Sequence, residues 1–341
     1  MKTNKQIIAV TGASGFVGSY LCKQLRSKSY LTIGLVRSQK INLDDIVVGD
    51  ISFKSNWEDE LSGVDTLVHC ASRVHVQAKC SADTFEKYFL QNVVATYYLA
   101  KNSLQLGVKR FIYISSIKAR NIEWNISDEE IKRIILSIDS GDFNNLFELN
   151  SEALNLSKLK NNEYYDYTKR LSEKFIIYIA KYSKNFDVVI VRPPLIYGEG
   201  VGGNFLRLIK LIKTIKILPF GLVKNRRSMI SLDNFVDFLI HCINFQNLSN
   251  QIFEISDIEA LSTPDLIRRL SISLGVKVIL IPVPIWILIF LSKLAGSSYA
   301  ISRLIDSLEV DNSKALNLTG WTPKYSVDDG LRAAALSSKS L

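Results

Sequence analysis

Tyr165 and Lys169 stand four residues apart in Asn162-Glu163-Tyr164-Tyr165-Asp166-Tyr167-Thr168-Lys169. On a helix that spacing places both on one face, with an ammonium beside a phenol. A cation there favours phenolate and is expected to draw the tyrosine pKa down toward working pH. Such a pair exchanges a proton with a substrate oxygen. Fifty residues upstream of Tyr165, Tyr113-Ile114-Ser115-Ser116 closes an apolar run. A serine hydroxyl at a strand end is placed to hydrogen-bond the oxygen on which the tyrosine works.

A second kind of chemistry lies near the N-terminus, in Val10-Thr11-Gly12-Ala13-Ser14-Gly15-Phe16-Val17-Gly18. An apolar run, Ile7 to Thr11, enters the glycine turn, and an amphipathic stretch, Tyr20 to Leu25, leaves it. Strand, glycine turn and helix form the order a dinucleotide site needs. Gly12 allows the tight turn, Gly15 lets backbone approach a pyrophosphate, and Gly18 lets helix and strand pack closely. Phe16 and Val17 lie within this turn at the cofactor, and the N-terminus of the helix that follows offers its unpaired N–H groups to the anion. The second strand ends Gly34-Leu35-Val36-Arg37-Ser38 without the acid that would bond the adenosine ribose of NAD. Arg37 suits a 2′-phosphate, or else stacks on adenine or faces water, so the cofactor reads as NAD or NADP. Asp50 and Ile51, after the third strand, are placed for the adenine end. His69-Cys70-Ala71-Ser72 ends the fourth strand with small residues that let backbone reach the cofactor, Ala71 foremost. Three histidines (His69, His75, His241) without an acidic cluster give no metal site.

Behind these residues, short β-branched runs alternate with longer helical patterns, the βαβ signature of a parallel sheet. The strands are expected at Ile7–Thr11, Leu31–Val36, Ile46–Val48, Thr66–His69, Phe111–Ser115 and Val188–Arg192, with helices at Gly18–Arg26, Ala82–Leu106 and Tyr167–Tyr182. With right-handed crossovers this is an α/β, Rossmann-type doubly wound sheet. Residues 117–164 form an insertion. Ile131 to Leu136 read as a helix, the Asn-rich stretch 144–162 reads as loop, and the whole as a lid or surface excursion. The apolar run 278–291 is shorter than the roughly 20 residues that span a bilayer. It reads as a strand leading into a buried helix, with peripheral membrane contact as the other reading. The chain of 341 residues has a net charge of +9, but its Lys and Arg are dispersed, which speaks against nucleic acid. The N-terminus lacks a signal-peptide pattern. Cys22, Cys70, Cys80 and Cys242 show no C-x-x-C spacing, and reduced thiols point to the cytoplasm.

Taken jointly, these motifs resemble the extended short-chain dehydrogenase/reductase superfamily in its nucleotide-sugar epimerase/dehydratase branch. The resemblance also rests on Arg192-Pro193-Pro194-Leu195-Ile196-Tyr197-Gly198, on Arg227-Ser228-Met229-Ile230-Ser231-Leu232-Asp233, and on Ser313-Lys314-Ala315 with Gly320-Trp321-Thr322-Pro323. It implies Tyr165 as acid/base, Ser116 as the catalytic serine with Ser115 beside it at the substrate, and Lys169 also holding the nicotinamide ribose. Pro193 would line the nicotinamide end, while Arg227, Asn204 and Arg303 would bind a UDP- or TDP-sugar. Asn204 reads equally well as a helix cap. The resemblance further implies a smaller, mixed α/β substrate domain. It would comprise residues 195–227 and 257–341, the dinucleotide domain taking 1–194 and 228–256. A homodimer through Ala82–Leu106 and Tyr167–Tyr182 is implied too. Sugar 4,6-dehydratases carry Asp-Glu after the catalytic threonine, whereas Ile117-Lys118 follow Ser116 here, so dehydration lacks its chemistry. Reduction of a UDP-4-keto-hexosamine for surface polysaccharide and 4-epimerisation of UDP-glucose or UDP-N-acetylglucosamine remain. The missing ribose-binding acid favours the exchangeable cofactor of a reductase. A non-catalytic NADP sensor is the third reading.

Overall fold

The computed structural model describes residues 6–52, 55–74, 82–122, 126–141, 163–294 and 298–338. His75, Cys80 and the loop expected at 144–162 lie outside the described residues. The strands are β1 (Ile7–Thr11), β2 (Leu31–Val36), β3 (Ile46–Val47), β4 (Thr66–His69), β5 (Arg110–Ile114), β6 (Asp187–Arg192), β7 (Leu195–Tyr197), β8 (Ile217–Leu218), β9 (Met229–Ser231), β10 (Gln251–Glu254) and β11 (Ile279–Leu280). One sheet has the order β10-β6-β5-β4-β1-β2-β3, and the pairs from β6 to β3 are parallel. The chain therefore starts in the middle, at β1, winds outward to β3, then returns through β4. That reversal between β1 and β4 is where an open α/β sheet binds its ligand. Because the six strands are parallel, the residues following Thr11, Val36, His69, Ile114 and Arg192 all emerge at one edge.

Two compact units share the chain. The first comprises residues 1–192 and 242–253, the second 193–241 and 254–341. The expected return to the first unit at 228 thus begins at 242. The reason is local. β9 pairs in parallel with β7, Leu195 opposite Met229, and the Ser231 N–H donates to Asp257. These pairings tie 228–241 to the second unit.

In the first unit, Ala9, Leu35, Trp57, Leu67, Phe111 and Val188 belong to a fully buried cluster built on the sheet. A second cluster joins helices. The helix Asp128–Asp139 turns Ile131, Ile134, Ile135 and Ile138 onto Phe89, Tyr97, Tyr167 and Phe175. Each such side chain stabilises by about 1.5–3 kcal/mol on burial. Tyr97 donates to Asp139, Tyr98 donates to the Ile138 carbonyl at 3.0 Å, and Lys181 pairs with Asp128. The chain's own insertion helix thus packs on both helices expected to carry a dimer contact. The long helix expected at Ala82–Leu106 is also broken. Ala82–Tyr88 and Ala95–Gln105 are α-helical, but Phe89–Val94 is π-helical. Such bulges recur at functional sites, and the carbonyl of Asn92 within this one accepts from Ser172 at 2.8 Å.

In the second unit, β8 and β11 form a two-stranded parallel ribbon. The helix Ile285–Leu294 follows, and it is not the buried helix expected. Only Leu288 and Ser292 are buried, because neighbouring chain covers one narrow stripe of it. No described helix is long and apolar enough to cross a membrane.

Candidate active site

β1 runs directly into the glycine turn. Gly12 has φ of +65°, and a Cβ there would stand 2.9 Å from the Ala71 backbone nitrogen. A Cβ on Gly18 would lie 2.2 Å from the Gly12 carbonyl oxygen. Neither contact is sterically tolerable, so the turn requires glycine at both positions. The helix Phe16–Ser27 then begins with no side-chain cap and no acid in its first turn. Phe16 and Val17 thus open a bare, positively polarised helix N-terminus at the ligand-binding edge. These features fit the diphosphate of a dinucleotide.

Arg37 and Asp50 are exposed beyond the ends of β2 and β3, with Arg37 Nη1 and Asp50 Oδ1 3.8 Å apart. Ile51 packs against the sheet core. Asp45 lies against Gly34 of β2, is buried, and accepts from Arg26 at 2.8 Å and from the Asn42 N–H at 2.8 Å. It is spent on the fold. Ala71 lies beside Gly12 and donates its N–H to Thr11 Oγ1 at 3.3 Å.

His69 is buried between two threonines, Nδ1 at 2.7 Å from Thr11 Oγ1 and Nε2 at 3.0 Å from Thr96 Oγ1. Burial first, then the Lys169 charge, lowers its pKa to about 3. It is a neutral core imidazole bridging β1, β4 and the helix behind them. No group of three or more His, Cys, Asp or Glu side chains suited to a metal occurs among the described residues.

Tyr165 lies in the first turn of the helix Tyr164–Lys181, half-buried. Lys169 is buried one turn on, with Nζ 5.9 Å from the Tyr165 ring centre and 4.6 Å from that of Tyr113. Nζ donates to the Ile114 carbonyl at 2.7 Å, which ties the helix to the end of β5. Burial is the main reason the Lys169 pKa falls to about 7. The expected lowering of the tyrosine pKa is not found. Burial, then the Asp166 charge, pushes Tyr165 upward. An ammonium half-discharged near neutrality and turned to a carbonyl offers the phenol little stabilisation.

Ser116 and Ser115 separate. Ser116 ends β5, and its hydroxyl oxygen accepts from the Lys118 N–H at 3.3 Å. Ser115 faces the other way and donates to Glu173 Oε1 at 2.5 Å. Glu173, fully buried, also takes a bidentate pair from Arg192, at 2.8 and 2.6 Å, and a bond from Arg170 at 3.2 Å. The substrate role expected for Ser115 does not match this placement, since its hydroxyl hydrogen is committed to a buried carboxylate. The Ser115–Glu173–Arg192 cluster clamps the catalytic helix to the ends of β5 and β6. Sequence reasoning missed it, although Glu173 recurs on the Tyr165–Lys169 face at the next turn. Lys118 was likewise missed as a neighbour of the tyrosine, yet it pairs with Asp166 at 3.2 Å. Asn92 was missed too. It accepts from Ser72 and from the Arg73 N–H, and donates to Thr168 at 3.3 Å.

Within the second unit, Arg227 is held from both sides. Its N–H donates to the Leu261 carbonyl at 2.8 Å, and the Ser228 N–H donates to Leu308 at 2.8 Å. The guanidinium donates to the Asp306 carbonyl at 3.1 Å. Burial and then the nearby Arg303 charge lower its pKa. Guanidiniums whose charges act on one another suit an anion. Asn204 is exposed on the first turn of the helix Gly203–Thr214, whose cap is Gly202, and it accepts from Arg207 at 3.5 Å. Pro193 is buried and begins this unit.

The chain is similar to known proteins over nearly its whole length. The sequence profile of the NAD dependent epimerase/dehydratase family matches residues 8–134 and 135–256. The UDP-glucose 4-epimerase of Vibrio cholerae is 35% identical over 333 residues, covering 96% of this chain and 94% of that protein. The N-acetyl-alpha-D-glucosaminyl-diphospho-ditrans,octacis-undecaprenol 4-epimerase of Escherichia coli O157:H7 is 23% identical, covering 95% and 92%. Among solved structures, the UDP-glucuronic acid 4-epimerase of Bacillus cereus in complex with NAD shares the fold. The TM-score is 0.70 at 19% identity, over 98% of this chain and 99% of that one.

Proposed function

The chain belongs to the NAD dependent epimerase/dehydratase family, and from that premise we propose that it is a nucleotide-sugar 4-epimerase acting on a UDP-hexose or UDP-N-acetylhexosamine. What carries the reading is the 35% identity to a UDP-glucose 4-epimerase over 96% of the chain, with Ser116, Tyr165 and Lys169 all present. The relatives back epimerisation better than the reductase that the end of β2 favours.

In this reading a bound NAD would supply reversible hydride exchange at sugar C4. Tyr165, once deprotonated to the phenolate, would take the proton of the C4 hydroxyl as C4 is oxidised and return it as C4 is reduced. Ser116 donates its hydroxyl hydrogen to the same sugar oxygen and steadies it as a carbonyl. Lys169, anchored on the Ile114 carbonyl, would hold the nicotinamide ribose. Gly12, Gly15, Phe16, Val17 and Gly18 cradle the dinucleotide diphosphate. Arg37, Asp50 and Ile51 meet the adenosine end, and Ala71 and Pro193 the remainder. Arg227 and Arg303 neutralise the diphosphate of the sugar nucleotide, and Asn204 adds a hydrogen bond.

The test is an assay of purified protein with UDP-glucose and with UDP-N-acetylglucosamine, without added cofactor. Formation of the C4 epimer of either is expected. Net oxidation of NADH or NADPH only with a UDP-4-keto sugar would instead assign the reductase. Tyr165→Phe should keep dinucleotide binding and lose about 10²–10⁴-fold in turnover. Full turnover in that variant removes Tyr165 from the chemistry.

A further inference from the structure

The helix Ile285–Leu294 is inverted relative to a surface helix. Its serine, Ser292, is buried and donates to the Ile289 carbonyl at 2.8 Å. Trp286 is 70% exposed, Phe290 58% and Leu294 73%. Four residues, Ile281-Pro282-Val283-Pro284, separate it from the end of the ribbon strand β11 at Leu280. In that ribbon Ile217 pairs with Ile279, and these are 54% and 62% exposed while Leu218 is buried. Ile215 and Ile281 continue the same alternation and are exposed as well. Ribbon and helix thus follow one another as one run of outward aromatic and branched side chains. Soluble monomers rarely leave so many together.

Arg226, Arg268 and Arg269 pair with Glu309, Asp265 and Glu259, but the charges carried on the ribbon and helix themselves are lysines. No acid occurs from residue 200 to 232, nor from 266 to 305, while those stretches hold Arg207, Lys210, Lys213, Lys216, Lys224, Arg226 and Arg227, and Arg268, Arg269, Lys277, Lys293 and Arg303. Lys216 stands between Ile215 and Ile217, Lys277 precedes Ile279, and Lys293 is on the helix; all three are exposed. A second copy seated on this face would bring lysine against lysine. An anionic, apolar-cored surface satisfies both features at once, because Lys stems lie along apolar surface and reach headgroup phosphates. The helix, ten residues and about 15 Å long, is too short to cross. It has the size to lie in the interface.

We propose that this face docks the second unit on the surface of a bilayer rich in anionic phospholipid, with Trp286 and Phe290 entering the headgroup boundary and Lys216, Lys277 and Lys293 binding phosphates. The proposal goes beyond the epimerase reading and does not depend on it.

The experiment is co-sedimentation of the full-length protein with vesicles of phosphatidylcholine alone and of phosphatidylcholine with phosphatidylglycerol. Binding is expected to the mixed vesicles, weakening as salt rises. Trp286→Ser with Phe290→Ser should weaken it by about tenfold or more. Lys216→Glu with Lys277→Glu and Lys293→Glu should abolish the preference for phosphatidylglycerol. Both sets leave Leu288 in place, so unchanged thermal unfolding and unchanged epimerisation of a soluble UDP-sugar are expected. Absence of binding to the mixed vesicles, or equal binding by the Trp286/Phe290 variant, overturns the proposal. So does a wild-type dimer in light scattering that this variant converts to monomer, since the face is then a self-contact. If vesicle binding holds while no UDP-sugar turns over, the epimerase reading fails and the docking stands.

Discussion

The helices Asp128–Asp139 and Ile285–Leu294 differ by two residues in length and treat their apolar side chains oppositely. The first carries isoleucine at 131, 134, 135 and 138, one turn apart, and all four are buried. Its charged residues, Glu129, Lys132 and Arg133, take the exposed face. The second has eight apolar residues in ten and buries one of them, Leu288. Periodicity therefore says which face turns inward only when the helix has two unlike faces. Where every face is apolar, the neighbours decide, and here they cover a single stripe.

Ile134→Asp should give the largest effect, because Ile134 is fully buried in the cluster of Phe89, Tyr97, Tyr167 and Phe175. An unpaired carboxylate there is expected to cost more than about 3 kcal/mol, read as a lower denaturant midpoint. Since Tyr167 and Phe175 belong to the catalytic helix, turnover should fall with stability. Leu288→Ala comes next, at about 2–3 kcal/mol, because Leu288 is the apolar residue that seats the exposed helix. A change of a few tenths of a kcal/mol would mean that this helix is barely docked, and the contrast between the two would be deeper than drawn.

Much of this was legible in the residues. Strands β1, β2 and β4 lie where the apolar β-branched runs stand, β1 and β4 leading into glycine or small residues, and the edge that gathers Gly12, Ala71 and Ser116 follows from parallel pairing. The Tyr-x-x-x-Lys spacing was less informative than its position. Tyr97 and Lys101 share it, with the ammonium 5.6 Å from the ring, yet the Tyr97 hydroxyl is spent on Asp139. What sets Tyr165 apart is that Lys169 reaches the end of β5. The π-helical turn at Phe89–Val94, the commitment of Ser115 to Glu173 and the burial of Asp45 depend on partners 19 to 80 residues away along the chain. No local pattern announces them. The exposed helix escaped for the reason above.

The smallest effect separates the helices at their N-termini. Ser127 and Glu130 form a capping box: the Glu130 N–H donates to Ser127 Oγ at 3.2 Å, and the Ser127 N–H donates to Glu130 Oε2 at 2.7 Å. These bonds hold the Glu130 pKa below its ordinary 4.5. A carboxyl whose folded pKa is depressed stabilises the fold above the unfolded value, and that contribution fades as pH falls through the folded one. Ser127→Ala should therefore cost about 1 kcal/mol at neutral pH, and the difference from wild type should shrink as pH drops below 4.5. The helix Ile285–Leu294 has no acid in its first turn, so Leu288→Ala should carry no such pH dependence from its own helix. Denaturation of both variants across that range sharpens the comparison. A pH-independent Ser127→Ala difference would mean that the serine hydroxyl alone, and not its carboxylate partner, starts the insertion helix.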